Sequence, residues 1–148
     1  MTRIWIAGLV LGGIAAAAPA AEHKVRVDHH SGAIDAHYRA GVTIAHRQVG
    51  AAGPGGRAST LRCQWSAGVT IDREARHASG TTMLRTISRD DVVEGSRPGW
   101  CDGQRRAIAE EVARRTDAVR DHMMAVAAED HGVLRAEADR LHGTQAAG

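Results

Sequence analysis

Between Ala33 and Arg47 apolar and polar residues alternate almost without a fault, and this stretch does most to limit the fold. Ile34, Ala36, Tyr38, Ala40, Val42 and Ile44 fall on one side, and Asp35, His37, Arg39, Thr43 and Arg47 on the other. A period of two over such a length is that of a half-buried antiparallel strand. Gly41 interrupts it and marks an expected bend or bulge. The same alternation returns from Leu61 to Asp72, with Leu61, Cys63, Trp65, Ala67, Val69 and Ile71 on the apolar side. Shorter strands flank these two. One runs from His23 to His30, with Val25 and Val27 set against Arg26 and Asp28. The other runs from Thr81 to Arg89, with Met83, Leu84 and Ile87. The pattern predicts strands at about 24–30, 33–48, 60–74 and 81–89. Between them lie a two-residue turn at Ser31-Gly32, a glycine-rich loop from Gly50 to Ser59 and a turn at His77–Gly80. Asp90 to Gly99 reads as a charged loop.

After Cys101 the period changes. Ile108, Val112, Thr116, Val119, Met123, Val126, Val133, Leu134, Ala138 and Leu141 recur at spacings near three and four, the stripe of an amphipathic helix. The expected helix spans about 103–142, with Asp102 as its cap. Four consecutive strands and one helix make an α+β chain: a four-stranded antiparallel β-meander followed by a long C-terminal α-helix packed on one face. A continuous helix of that span measures about 60 Å at ~1.5 Å per residue. The strand beneath it reaches only about 50 Å. A break near Gly132, or a partner covering the overhang, is therefore expected.

The start of the chain is of a different kind. Met1-Thr2-Arg3 precedes an uncharged run from Ile4 to Ala18, and Ala18-Pro19-Ala20 supplies small residues at the cleavage positions. That order reads as a cleavable signal peptide at 1–20, leaving 21–148 as a single small domain that is periplasmic or secreted. Arg3 is the only charge it removes, so 18 basic and 17 acidic residues remain. A net charge of +1 gives no electrostatic reason for nucleic acid or a membrane surface as partner.

Phe is absent, and the only aromatic residues after the leader are Tyr38, Trp65 and Trp100, so the core is built of small side chains. Cys63 and Cys101 are the only cysteines. Export favours their pairing as a disulfide. The bond would fasten the inner face of the third strand to the start of the helix.

The sequence holds no G-x-S-x-G elbow, P-loop, Rossmann glycine fingerprint, C-x-x-C or H-E-x-x-H. Chemistry, where any exists, lies in the nine histidines. With Ser31-Gly32 as the turn, Asp28 faces Asp35 and Arg26 faces His37. Asp28, His30, Asp35 and His37 then share one polar face, a donor set suited to zinc or copper. Its structural counterpart is a solvated face balanced by Arg26 and Arg39. His46 lies in the apolar register and reads as a half-buried, hydrogen-bonded core histidine. The leading expectation is a non-enzymatic binding or structural envelope protein, with a homodimer through the helix or another envelope protein as partner. A periplasmic transition-metal-binding protein is second, and a small hydrolase or hydrolase inhibitor third.

Overall fold

The structure is a computed structural model that describes residues 20–55 and 59–146. The expected leader, apart from Ala20, lies outside the described residues. Four strands, β1 (Ala21–Val27), β2 (Ile34–Val49), β3 (Arg62–His77) and β4 (Thr82–Pro98), are followed by α1 (Cys101–Ala113) and α2 (Thr116–Ala146). The strands form one antiparallel sheet in the order β1-β2-β3-β4, the expected meander. The apolar registers of β2 and β3 turn inward as read. Ile34, Ala36, Tyr38, Ala40, Cys63, Trp65, Ala67, Val69 and Ile71 are all buried. The opposite face of the sheet is open to solvent.

The core divides in two. One cluster gathers Ile34, Tyr38, Ile71 and Met83 under Val119, Met123, Val126 and Leu134 of α2. The other gathers Cys63, Trp65, Ala67 and Val93 with Cys101, Ile108 and Val112 of α1. The Cys63–Cys101 disulfide is formed, joining residues 38 apart in sequence. It sits where the sequence placed it, between the inner face of β3 and the first residue of α1.

Four local expectations are corrected. First, the helix breaks at Arg114–Arg115 and runs unbroken through Gly132. The Arg115 N–H bonds the Val112 carbonyl at 2.9 Å, a tightened last turn. The Thr116 hydroxyl takes the Ala113 carbonyl at 2.8 Å, and the Arg115 guanidinium stands 6.0 Å from the Trp65 ring centre. The break falls where packing passes from one cluster to the other, and Gly132 faces open space. Neither helix is longer than the strand beneath it. At ~1.5 Å per residue α2 is about 46 Å long, and β2 at ~3.4 Å per residue is about 54 Å. The expected single helix over 103–142 is thus two helices, each shorter than β2.

Second, β4 continues through the presumed loop to Pro98. Its pairing with β3 shifts between Ala67 and Val69, where Asp90, Asp91 and Val92 stand opposite Gly68. Asp91 adopts φ 54°, and a Cβ on Gly68 would come within 3.2 Å of the Arg89 carbonyl oxygen. The bulge thus sits at Gly68, while Gly41 pairs regularly with Thr70. Third, α1 begins at Cys101 and Asp102 does not cap it. The Cys101 N–H instead donates to Oε1 of Gln48, reaching over from β2, at 2.8 Å. Fourth, the β1–β2 connection spans 28–33, and Arg26 pairs with Asp35 and Lys24 with His37. The register slips by two residues, so the faces are kept but the partners change.

Candidate histidine site at the end of the sheet

The slipped register has a cause in the side chains of the turn. The β1–β2 connection carries His29-His30-Ser31-Gly32, and the β3–β4 turn carries His77-Ala78-Ser79-Gly80. The two are built alike. In each, the glycine N–H closes the turn on the histidine carbonyl, at 3.0 Å for Gly32 and 2.8 Å for Gly80. Each glycine has a positive φ, 135° and 90°, which a side chain would disfavour. In each, the serine backbone N–H donates to the histidine Nδ1, at 3.3 Å for His29 and 3.1 Å for His77.

Because Ile34 pairs with His77, the two turns lie side by side at one end of the sheet. Ser31 Oγ bridges them, 2.7 Å from His29 Nδ1 and 3.1 Å from His77 Nε2. An Nδ1 that accepts a backbone N–H carries no proton, so each neutral ring holds its proton on Nε2. A directed chain follows: Ser31 Oγ donates to His29 Nδ1, and His77 Nε2 donates to Ser31 Oγ. At the far end, His29 Nε2 donates to Oδ1 of Asp139 on α2, at 3.1 Å. The His29 side chain is 3% exposed, so it is a fixed part of this junction.

His30, on the surface, completes the group. Its Nε2 lies 3.6 Å from the same Asp139 oxygen, and its ring leans on that of His29 with centroids 4.2 Å apart. One ligand atom from each of His29, His30 and Asp139 lies within 4.8 Å of the other two. His142, one turn beyond Asp139, stands edge-on to His30 with ring centroids 6.0 Å apart.

The four residues expected to share a metal face part company. His30 joins the cluster just described. Asp35 faces Arg26 across the hairpin at 3.5 Å, and His37 Nε2 is 3.2 Å from Glu22. Asp28 is exposed beyond the end of β1. Among the described residues, His29, His30 and Asp139 are the only three that converge closely enough to hold a metal ion. His46 is half-buried, but its Nε2 has no hydrogen-bond partner. His29 and Asp139 were missed because 110 residues separate them. The repeated H-x-S-G was the available signal.

A second polar group lies beneath α2, and its centre is buried. Arg73 and Asp130 are 1% and 3% exposed in a core otherwise apolar. Asp130 accepts from Arg73 at 3.0 Å, from the Tyr38 hydroxyl at 3.1 Å and from Arg85 at 2.7 Å. Arg73 also pairs with Glu137. Burial first, then the Asp130 carboxylate, pushes the Tyr38 hydroxyl well above the usual phenol range. Both carboxylates are taken up by arginines, and only the Arg73 Nε lacks a partner, so the group reads as a fastening for α2.

No protein-family model, curated protein or solved structure matches the chain. Its chemistry therefore has to be read from the site alone. Ser31, His29 and Asp139 are linked in the order of a hydrolytic relay, but Ser31 Oγ is also held by His77. A small cavity lined by His77, Ser79, Thr81 and His142 holds about 10 Å³, room for about one water. An open groove of about 360 Å³ lined by Thr81, Leu84, Glu137 and Leu141 adjoins it.

Proposed function

We propose that this chain is an exported, non-enzymatic binding protein of the cell envelope, with its binding site at the histidine end of the sheet. The observation that carries the reading is the convergence of His29, His30 and Asp139 from a turn and a helix. Two imidazoles and a carboxylate are gathered at a surface, and the serine beside them is held on both sides by histidines. The sheet and α2 form the carrier that fixes His29 in place. Export rests on the leader at 1–20.

Two measurements test this. Secretion from a bacterial host should yield a mature chain beginning at Ala21, read by intact mass; retention of the leader would remove the export part. Hydrolysis of activated esters should be no faster than in a Ser31→Ala variant. Turnover lost on that substitution would make the protein an enzyme and end the binding reading.

A further inference from the structure

We infer that the ligand of the histidine end is a late transition-metal ion of the zinc, copper(II) or nickel class, held by Nε2 of His29, Nε2 of His30 and Oδ1 of Asp139. The inference rests on the binding reading above and names its ligand. Atoms bound at ~2.0–2.1 Å to one tetrahedral zinc ion lie about 3.3 Å apart. Asp139 Oδ1 is 3.1 Å from one imidazole nitrogen and 3.6 Å from the other, and the three ligand atoms lie within 4.8 Å of one another, close enough for small side-chain shifts to bring them onto one ion.

The donor set decides the class of ion. Two nitrogens and one oxygen suit zinc, copper(II) or nickel, whereas calcium and magnesium take oxygen ligands. With His30 and Asp139 both exposed, at least one coordination position is open to water.

The far side of the His29 ring is held by Ser31, whose Oγ lies 2.7 Å from Nδ1. For Nε2 of His29 to bind an ion its proton must leave for Nδ1 or for solvent, and a proton on Nδ1 would displace the Ser31 backbone N–H that this atom now accepts. The ion would tie the β1–β2 turn to α2, so binding should also raise the unfolding temperature.

Isothermal titration of the full chain, purified with a chelator and then freed of it, tests the inference with zinc alone. One saturable site of micromolar or tighter affinity is expected. His30→Ala and Asp139→Asn should each weaken it at least tenfold with the circular dichroism unchanged, while His37→Ala and Asp35→Asn leave it as it was. Ring nitrogen shifts should move at His29 and His30 on adding zinc. No saturable binding, full affinity in His30→Ala and Asp139→Asn, or zinc held instead by His37 or His131 would overturn the inference. Failure of zinc leaves export and the ester assay to decide the binding reading, whereas turnover lost in Ser31→Ala ends that reading even if zinc binds.

Discussion

The two halves of this molecule hold their helices by opposite means. At one end α1 is joined to β3 by a covalent bond, with Trp65, Ile108 and Val112 packed about it. At the other, α2 lies on an apolar floor and is pinned by the charges of Arg73 and Asp130, neither in reach of water. The covalent clamp acts mainly on the unfolded chain and tolerates imperfect packing. The ionic clamp acts only in the folded state and is intolerant of losing a partner. A core without phenylalanine has both, because methyl-sized side chains alone give little to hold a helix by.

The largest expected effect is at the ionic clamp. Asp130→Ala leaves the Tyr38 hydroxyl without its acceptor and the buried Arg73 guanidinium with Glu137 alone. Removing one partner of a buried pair costs about 3–5 kcal/mol, to be read from the urea midpoint. Hydrogen exchange should show α2 losing protection while α1 keeps it. Equal loss in both helices would mean that the two ends do not act separately.

The covalent clamp comes next. Replacing both Cys63 and Cys101 by serine reopens a loop of 38 residues, worth at most about 4 kcal/mol in the chain-entropy model. Here α1 should lose protection first, and the near-ultraviolet dichroism of Trp65 should weaken while α2 stays docked. A variant that melts from the α2 side would reverse the assignment of the two clamps.

A smaller change sharpens the same end. Trp65 lies flat over Gly95 of β4, and a methyl group there would lie 2.8 Å from the indole Nε1 and nearer still to the ring carbons. Gly95→Ala should cost about 1–3 kcal/mol by overpacking and shift Trp65 fluorescence. Stability and emission both unchanged would show that the ring is free to move and that the disulfide, not the packing, positions α1.

Much of this contrast could be read from the chain. The disulfide, its two attachment points and the inward faces of β2 and β3 follow from period-two alternation and from the pairing expected of the two cysteines. Arg73 went unread, because the alternation was followed only to Asp72 and a charge in the next inward position has no meaning without its partners. What stayed hidden depends on contacts distant in sequence. Arg114–Arg115 contains no helix breaker, and the helix stops there because packing changes clusters. Gly132 looked like a breaker, but a lone exposed glycine costs only about 1 kcal/mol in a helix. The β1–β2 register failed because the turn is set by His29 turning inward to Ser31 and Asp139, which alternation cannot report. The metal face failed with it: moving each partner by two residues separated Asp28 and Asp35.

The smallest effect expected is a dependence on pH, and it should belong to the α2 half alone. His131 lies on α2, half-buried, with its Nε2 lacking a hydrogen-bond partner. Burial lowers its pKa, Arg135 and His23 lower it further, and Asp130 opposes them. The folded state therefore prefers the neutral ring. The unfolded chain takes up the proton near the ordinary value of about 6.5. As pH falls through that value, the unfolded state binds more protons than the folded one, and stability drops. The loss continues until the folded ring is itself protonated, and then levels off; above about pH 7 the contribution is fully present. In His131→Gln the change in urea midpoint between pH 7 and pH 5 should shrink, whereas in Cys63→Ser/Cys101→Ser it should persist. An unaltered slope in His131→Gln would move the acid sensitivity to another histidine. Persistence in the disulfide variant is the more telling result, since it would show that proton uptake acts on one helix and leaves the other clamp untouched.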